Sequence, residues 1–276
     1  MSCEGGDTVR PAMIDDDRTP GGQLAPERHA RLLGLLRSEI FADIRALKDA
    51  LGVSIATIRR DLSELESRGL LKRTHGGALV TNQVTRDNAV SVREVVNAEQ
   101  KGRIADAAAK MVVDGDAVMI DGGTTSLLVA RRLAANSSLT FVTNCIDVLS
   151  TLTAAKASKL HFIGGEYLDI NHSFGGPLAA EQVRRFNVDK VFLSVSSVDH
   201  RRGLICTASP QAACVQQAMI DVAQMTVVVA DHSKFNRTAL AVIAPLNRVD
   251  YVVTDSASRR ELPGLSGKLK EKFVFV

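Results

Sequence analysis

Apolar residues between positions 27 and 69 recur at helical spacing and predict three consecutive helices. The predicted helices run from Glu27 to Glu39, from Ile44 to Leu51, and from the position after Ser54 to Gly69. Asp43 and Ser54 are residue types that cap helix starts, whereas Gly52 and Gly69 suit the left-handed residue that ends a helix. Two capped helices joined by a glycine-containing turn form a helix-turn-helix. The pattern therefore predicts such a unit in this part of the chain.

The third predicted helix separates an apolar stripe from a basic face. The stripe consists of Ile58, Leu62 and Leu65. Thr57, Arg59 and Arg60 point elsewhere, close to the capping Ser54. The first turns of a major-groove helix come closest to base edges and phosphates, where short hydroxyl donors and arginine forks bind well. We therefore predict DNA contacts from Ser54, Thr57, Arg59 and Arg60.

Two short apolar runs after this helix, Leu70-Leu71 and Leu79-Val80, predict a pair of strands. The turn between them contains His75, Gly76 and Gly77, and glycine tolerates the positive φ that tight turns require. Such a hairpin is a wing, which can reach a phosphate or the minor groove. The candidate DNA contacts of the wing are Arg73, His75, Gly76 and Gly77. The alternative is an ordinary small helical domain whose charged helix face is merely solvated.

From Glu99 onward the pattern changes to helices that alternate with short apolar strands, which is typical of an α/β domain with a mainly parallel sheet. The predicted helices are Glu99 to Val112, Ser126 to Ala135, Ile146 to Ala154, Leu178 to Arg185 and Pro210 to Ala223. The predicted strands are Ala117 to Ile120, Leu139 to Val142, Leu160 to Ile163, Val191 to Val195, Thr226 to Ala230, Leu240 to Ile243 and Tyr251 to Thr254. The predicted fold class is thus α/β, with a winged helix-turn-helix domain preceding an α/β domain.

Changes in composition set the expected domain boundaries. Residues 1–25 are rich in Gly, Pro and Asp and hold too little apolar surface to offset their ordering entropy, so we expect a disordered tail. Residues 26–81 form the predicted winged domain, and the polar residues 82–98 are expected to be an extended linker. Residues 99–276 form the predicted effector-sensing domain. The linker must then transmit whatever that domain senses.

The net charge of the chain belongs to the predicted winged domain. Residues 27–80 hold ten Lys and Arg against seven Asp and Glu, a net +3 that equals the formal net charge of the whole chain. The remainder is neutral, which suits a domain that does not follow a phosphate backbone. With no Trp and only two Tyr, the chain is poorly supplied with rings for stacking single-stranded bases. Duplex DNA is therefore the expected nucleic-acid partner.

The cysteines and the chain's hydropathy restrict the remaining classes. Cys3, Cys145, Cys206 and Cys214 have no CxxC spacing, so we expect reduced structural thiols, no metal site and no cofactor. No signal-peptide pattern and no apolar run long enough to cross a bilayer is present. The expected location is the cytoplasm, without membrane contact.

Polar residues follow the predicted strands at the positions where parallel sheets bind ligands. The sequence Asp121-Gly122-Gly123-Thr124-Thr125 places backbone amides and hydroxyls at a helix start, as in a phosphate cradle. The candidate effector-binding residues are Asp121, Gly122, Gly123, Thr124, Thr125, Asn144, Gly165, Asp199 and Lys234. Lys234 offers a cation to a phosphate, and the side-chain oxygens of Asp121, Asn144 and Asp199 can orient sugar hydroxyls. The alternatives are a plain turn in which Thr124 caps the helix, a surface Lys234 and a turn-forming Asp199.

Several separated motifs resemble those of the DeoR family of bacterial transcription regulators. TIRRDL and LESRGLLKRTHGGA are similar to its winged helix-turn-helix over residues 27–80. The later motifs extend nearly to Asp255; they are EQKGRIADAAAKMVVDGDAVMIDGGTTSLLVARRLA, VTN, IGGE, SFGGPLAAE, FNVDKVFL, ADHSKFN and VVTD. They are similar to DeoR-type sensor domains, which resemble ribose-phosphate isomerase and coenzyme A transferase folds and typically bind a phosphorylated sugar or a related metabolite.

The resemblance also implies roles for individual residues. It implies that the GGTT loop holds a phosphate and that the pocket is lined by Asp121, Asn144, Asp199 and Lys234. Two departures leave the effector's identity open: Ser197 stands where the family usually has glycine, and Ala212 where an acidic residue is common.

The resulting hypothesis is a non-enzymatic transcription regulator, most simply a repressor of a sugar or carbohydrate operon, controlled by a phosphorylated sugar or a related metabolite. Its expected partners are double-stranded operator DNA, the effector and further copies of the chain, as a dimer or tetramer. The alternative is an isomerase-like sugar-phosphate enzyme that carries a DNA-binding module, with Asp121 or Asp199 as its base. A purely structural DNA-binding protein is the third possibility, and it leaves the polar strand ends unexplained. No catalytic acid–base pair stands at a fixed spacing.

Overall fold

The computed structural model describes residues 25–39, 41–67, 71–73, 77–80, 90–157, 159–235, 237–265 and 267–276. The predicted tail up to position 24, the helix end at Gly69, and His75 and Gly76 of the wing lie outside these residues. Within the described ranges no helix has both the length and the apolarity needed to cross a membrane.

The first domain is a helix-turn-helix with a three-stranded antiparallel sheet. Its elements are α1 (Ala25–Glu39), β1 (Phe41–Asp43), α2 (Ile44–Leu51), α3 (Ile55–Ser67), β2 (Leu71–Arg73) and β3 (Gly77–Val80). The sheet order is β1-β3-β2. Leucine and isoleucine side chains from the three helices meet in one buried core beneath the sheet. The predicted winged helix-turn-helix is thereby confirmed.

The two predicted caps of α2 are present. Asp43 accepts a hydrogen bond from the backbone N of Arg45 at 2.6 Å and starts α2. Gly52 has a φ of 68° and donates its N–H to the carbonyl of Lys48, which ends that helix. Contacts within a few residues therefore mark both ends of α2.

Two details of the wing differ from prediction. The pattern predicts two strands, but β1 adds a third, because Phe41–Asp43 pairs with Gly77–Leu79 of β3. Gly77, predicted in the turn, is the first residue of β3 and lies opposite Asp43. A three-residue strand between two helices has no periodicity of its own, so only the partner strand reveals it.

The expected extended linker is wrong over α4 (Val90–Val95), which is helical and packs against both α1 and α6 (Thr124–Leu133). The α/β domain then begins at α5 (Ala98–Ala109), one residue before the predicted start.

The second domain is built on a seven-stranded sheet in which all neighbouring strands are parallel. Its strands are β4 (Ala117–Ile120), β5 (Thr140–Thr143), β6 (Leu160–Phe162), β9 (Val188–Leu193), β12 (Ala223–Val229), β14 (Tyr251–Thr254) and β15 (Phe273–Phe275). Their spatial order is β15-β14-β12-β9-β4-β5-β6. The predicted α/β fold class, with its parallel sheet, is confirmed.

Helices cover both faces of this sheet. The helices of this domain after α6 are α7 (Ile146–Ala154), α8 (Gly176–Val183), α9 (Pro210–Val222) and α10 (Gly267–Glu271). Helices α5, α6 and α7 share one buried cluster, and α8 and α9 share another. Successive β4 residues join different clusters, Val118 the first and Met119 the second, as expected when strand side chains alternate between faces.

Two small antiparallel sheets flank the main sheet. β7 (Glu166–Leu168) pairs with β8 (Ser173–Gly175), and β11 (Leu204–Thr207) lies between β10 (Ser197–Asp199) and β13 (Ala241–Pro245). The strand predicted at Leu240 to Ile243 is therefore β13, and it belongs to a small sheet and not to the parallel one.

Candidate functional site

The basic face of α3 begins at a capped and ordered helix start. The Ser54 hydroxyl accepts a hydrogen bond from the Thr57 amide at 3.1 Å and lies 2.9 Å from the Thr57 hydroxyl. Arg59 and Arg60 are exposed on the following turn, away from the buried Ile58 and Leu62. The predicted separation of an apolar stripe from a basic face is confirmed, whereas DNA contact by these residues stays a prediction.

Arg73 ties β2 of the predicted wing to α3. Its guanidinium donates to the hydroxyl of Ser63, and its backbone N donates to Glu66 Oε1 at 2.8 Å. Both partners lie on α3, so β2 is held beside the helix that carries Arg59 and Arg60.

A buried ion pair that the sequence analysis did not identify anchors α3 to α1. Arg28 donates to both carboxylate oxygens of Asp61, at 2.6 and 3.0 Å, and His29 Nε2 lies 3.0 Å from Asp61 Oδ1. Burial alone raises the pKa of Asp61, but hydrogen bonds from His29 and Arg28 outweigh it and hold the pKa below its ordinary value. Asp61 directly follows Arg60, so this pair sets the rotation of α3 about its axis.

In the second domain, polar residues follow four neighbouring strands at the carboxyl ends of the parallel sheet. Asp121, Asn144, Ser194 and Asp231 follow β4, β5, β9 and β12, which are neighbours in the order β12-β9-β4-β5. Adjacent strands lie about 4.8 Å apart, so these residues span a row of about 15 Å. Strand order reverses between β9 and β4, because the chain proceeds outward from β4 in one direction and from β9 in the other. Such a switch point is where open α/β sheets bind ligands.

The loop after β4 approaches its neighbours too closely for side chains at either glycine. A Cβ on Gly122 would lie 2.8 Å from Ser173 Cβ, and one on Gly123 would lie 2.3 Å from Ser194 Oγ. Thr124 and Thr125 are buried in the first turn of α6, whose backbone amides face the strand ends. A backbone-lined helix start of this kind can bind a phosphate. That role for residues 122–125 remains a prediction.

Asp121 is a buried carboxyl group held by α9. Gln216 Nε2 donates to Asp121 Oδ2 at 2.6 Å and to the carbonyl of Ser194 at 2.8 Å. Burial raises the pKa of Asp121 to about 7, although the hydrogen bonds from Gln216 and from the amides of Gly122 and Ser194 lower it. The sequence analysis did not identify Gln216, because a glutamine in an amphipathic helix carries no local signal.

The raised pKa gives the folding stability a pH dependence. In the unfolded chain Asp121 loses its proton near pH 4, whereas in the folded domain it keeps the proton up to about pH 7. Folded molecules therefore bind more protons between these values, and stability falls as the pH rises through that window. We expect Asp121→Asn to unfold at higher urea concentration than wild type at pH 8, by on the order of 3 kcal/mol, and the gain to shrink towards pH 4. The exposed Asp106→Asn is the control, and an equal gain at both pH values contradicts the assignment.

The space over the carboxyl ends of β4, β5 and β9 is the crevice at the switch point of the sheet. Asn144 and Gly165 lie at its side next to β7 and β8. Asn144 is buried and its Nδ2 donates to the carbonyl of Phe174 at 2.8 Å. A Cβ on Gly165 would lie 2.6 Å from the carbonyl O of Gly175, so Gly165 permits close packing there. Asn144 is thus held at the crevice, while Gly165 serves packing in this structure.

A charged cluster surrounds Asp231 at the end of β12. Asp231 accepts hydrogen bonds from Asn97 Nδ2 and from the Ser233 amide, both at 2.9 Å. Burial raises the pKa of Asp231, but the charges of Lys234 and Lys101 hold it below its ordinary value. Lys234 therefore lies at the strand ends, as predicted from the sequence, and Lys101 is a second cation that the sequence analysis did not identify.

Lys101 is a lysine of α5 that is only 3% exposed. Its ammonium donates to the carbonyls of Arg93 and Val96, the latter at 2.6 Å, at the end of α4. Burial lowers its pKa to about 8, although Asp231 opposes that shift. Lys101 therefore fastens the last turn of α4 to the second domain.

Arg93 fastens α4 at a second point. Its guanidinium donates to the carbonyl of Ile170 and, at 2.8 Å, to Asn171 Oδ1. The carbonyl of Asn171 would lie 3.3 Å from a Cβ on Gly122. Arg93 thus attaches α4 to Ile170 and Asn171, next to the loop of Gly122 and Gly123. Asn97, just after the helix, makes the third attachment, to Asp231.

Asp199 lies at the end of β10, in one of the small sheets. Its Oδ1 accepts a hydrogen bond from the backbone N of Arg202 at 3.0 Å, and its Oδ2 lies 4.0 Å from Arg202 Nε. These contacts are those of the turn-forming alternative, and ligand binding by Asp199 stays a prediction. Among the described residues no cluster of three or more His, Cys, Asp or Glu side chains could hold a metal ion.

Two family models match the sequence. Residues 28–84 match a DeoR-like helix-turn-helix domain, and residues 96–256 match the DeoR C terminal sensor domain. The two matches divide the chain at the segment that contains α4.

Curated relatives align over nearly their whole length. The chain is 47% identical over 248 residues to the transcriptional repressor AccR of Agrobacterium fabrum, which covers 90% of this chain and 96% of that protein. It is 30% identical over 230 residues to the glycerol-3-phosphate regulon repressor of Escherichia coli, with 83% and 90% covered. Among solved structures, a ribose 5-phosphate isomerase from Methanocaldococcus jannaschii aligns at 17% identity and a TM-score of 0.39 over 50% of this chain and 54% of that chain. That likeness is weak, and the fold assignment rests on the sheet itself.

Proposed function

The chain belongs to the DeoR family and is a DNA-binding transcription regulator, and from this premise we propose that it represses a sugar or carbohydrate operon until a phosphorylated sugar binds its second domain. The names of its relatives support repression, since AccR and the glycerol-3-phosphate regulon repressor are both repressors. The glycine loop and the lysines near Asp231 support an anionic effector.

The observation that carries the proposal is the position of α4. Three side chains, Arg93, Asn97 and Lys101, join this helix and its end to the crevice. The same helix packs against α1, which carries the buried ion pair to the recognition helix. A ligand that alters the crevice therefore acts directly on a helix that contacts the DNA-binding domain.

We propose that the effector phosphate binds the amides of residues 122–125 and the ammonium of Lys234. Backbone donors at a helix start and a lysine cation both stabilise a phosphate dianion. Asp121, Asn144 and Asp199 would orient hydroxyl groups, and Gly165 would allow the backbone to approach. The anion would then compete with Asp231 for Lys234, which disturbs Asp231 and its hydrogen bond to Asn97 at the end of α4.

On the DNA side, we propose that Ser54, Thr57, Arg59 and Arg60 contact the major groove, with the wing residues Arg73, His75, Gly76 and Gly77 beside them. Reading a two-fold operator requires a two-fold protein, so the functional unit is at least a dimer. The molar mass of the complex in light scattering, with and without operator, tests this part.

The experiment has a DNA arm and an effector arm, both on the full chain. In the DNA arm, operator fragments are selected from genomic DNA and titrated by fluorescence anisotropy across a salt series. Arg59→Ala and Arg60→Ala should each weaken binding; a lost phosphate contact lowers the log–log salt slope by about 0.9, and a lost base contact relaxes specificity at one position. The exposed Arg185→Ala, in the second domain, is the control for total charge. Wild-type binding by both helix variants would remove α3 from the interface.

In the effector arm, a thermal-shift screen of sugar and alditol phosphates identifies ligands, and calorimetry measures their affinity. Lys234→Ala should bind the ligand about 10- to 100-fold more weakly, because one charged hydrogen bond is lost, and should leave operator affinity intact. The exposed Lys110→Ala is the matched control. Unchanged affinity in Lys234→Ala would place the phosphate elsewhere.

The alternative function, an isomerase-like enzyme, is favoured by one observation. A buried carboxyl group with a pKa of about 7, as at Asp121, suits proton transfer at neutral pH. Solvent deuterium exchange into a bound sugar phosphate, followed by NMR, distinguishes the two. Exchange that Asp121→Asn abolishes would establish the enzyme, and a ligand that binds without exchange supports the regulator.

A further inference from the structure

Two buried amide side chains at the crevice each retain an unused hydrogen-bond acceptor. Gln216 is 2% exposed and Asn144 is 3% exposed. Their nitrogens donate to Asp121, Ser194 and Phe174, as described above, which fixes the orientation of both amides. Gln216 Oε1 and Asn144 Oδ1 have no hydrogen-bond partner among the residues that the structure describes.

The two oxygens lie near the switch point between β9 and β4, where open α/β sheets bind ligands. Gln216 joins the residues that follow β4 and β9, because it donates to both Asp121 and Ser194 across the switch point. Asn144 follows β5, the next strand beyond β4. Gln216 therefore contacts Asp121 directly, and Asn144 lies at the end of the strand beside the one that Asp121 follows.

An unpaired buried carbonyl oxygen costs about 1 to 3 kcal/mol of folding free energy. Two such oxygens at neighbouring positions therefore indicate a site where a ligand supplies the hydrogen bonds. The missing partner must be a hydrogen-bond donor. A phosphate dianion and a carboxylate offer only acceptors and would be repelled by Asp121 when it is ionised. A hydroxyl group is neutral, donates one hydrogen bond and fits between such oxygens.

A segment of the chain covers this end of the sheet. The segment around Ser173 and Phe174 lies on Gly122 and Asn144, and Arg93 holds it through Ile170 and Asn171. Arg93 therefore connects α4 to the segment that contacts Asn144.

We propose that Gln216, together with Asn144, recognises hydroxyl groups of the effector, which is therefore a phosphate ester of a polyhydroxylated chain or ring and not a phosphorylated carboxylate. This inference rests on the proposed function, since it concerns the same crevice. It assigns the glycine loop and Lys234 to the phosphate and the two amide oxygens to the carbon skeleton.

The test measures discrimination, which a merely structural glutamine does not affect. Calorimetry compares pentose 5-phosphates and hexose 6-phosphates with their deoxy analogues at each position, with 3-phosphoglycerate and inorganic phosphate as further probes. Wild type should bind one hydroxylated ester about 10-fold or more tightly than a deoxy analogue of it, and should bind 3-phosphoglycerate weakly. Gln216→Met should bind both members of that pair equally. Adding Lys234→Ala to Gln216→Met should still weaken the binding of both esters. Gln217→Met, on the exposed neighbour in α9, should discriminate like wild type.

Asn144→Ala is a second, independent variant and should lose discrimination at a different hydroxyl group; it also decides the matter if Gln216→Met does not fold. Wild-type discrimination in whichever of the two variants fold, or tight binding of 3-phosphoglycerate, overturns the inference. Suppose that phosphate esters bind and Lys234→Ala weakens their binding, but that Gln216→Met and Asn144→Ala discriminate between hydroxylated and deoxy esters like wild type. Only the inference then fails. If no phosphate ester binds wild type, the proposed function fails with it.

Discussion

Asp61→Ala should abolish operator binding and destabilise the DNA-binding domain by about 3 to 5 kcal/mol, because it leaves Arg28 buried without its partner. Urea unfolding of the full chain, together with anisotropy on operator DNA, measures both effects. The exposed Asp49→Ala removes the same charge from the same domain and should change stability little. Equal stability in the two variants would contradict the anchoring role of Asp61.

A double variant separates the charge from the packing. Replacing both partners, as in Arg28→Met with Asp61→Leu, removes the buried charges together and should recover most of the stability that Asp61→Ala loses. The pH dependence is an additional check. Since the pKa of Asp61 is held below its ordinary value, its contribution to stability is present above about pH 4 and is lost as the pH falls through the folded pKa.

Lys101→Met should uncouple the two domains. The substitution leaves the carbonyls of Arg93 and Val96 without their charged donor, so the last turn of α4 is no longer held. We expect the effector to bind still, while its effect on operator affinity falls from about 5- to 150-fold, the usual range of allosteric coupling, to nearly none. Operator titrations with and without saturating effector measure this ratio.

Two variants make the coupling test more specific. Lys110→Met changes an exposed lysine of the same region and should respond to effector like wild type. Asn97→Gly keeps the positive φ of 54° but removes the hydrogen bond to Asp231, so it should weaken the coupling without disturbing the helix start. A full wild-type response in Lys101→Met would show that α4 does not carry the signal.

Features that depend on local chemistry were predictable from the sequence. Asp43, Gly52 and Ser54 each cap a helix through contacts within a few residues, and the residue type alone indicates the role. The alternation of apolar runs likewise predicted the parallel strands other than β15 (Phe273–Phe275) and placed Asp121 and Asn144 at strand ends.

Features that depend on distant partners were not predictable. Arg28 and Asp61 are 33 positions apart, and nothing in either neighbourhood announces an ion pair. Residues 90–95 were predicted as part of an extended linker because their segment lacks sustained apolar periodicity, and the helix is held by Lys101 and by packing against α1 and α6. Gln216 and Gln217 look alike in the sequence, and only the fold buries the first and exposes the second.

Because α4 touches both domains, the boundary that matters for building hybrid regulators is not the one that a linker would suggest. A chimera that fuses this DNA-binding domain to another family member's sensor, with the crossover after Asn97, would keep α4 but exchange the residues that hold Asn97 and Arg93. Such a hybrid would bind operator yet ignore its inducer. Moving the crossover to a position before Val90 transfers the helix together with its attachments, and its contact with α1 is then the part to be redesigned.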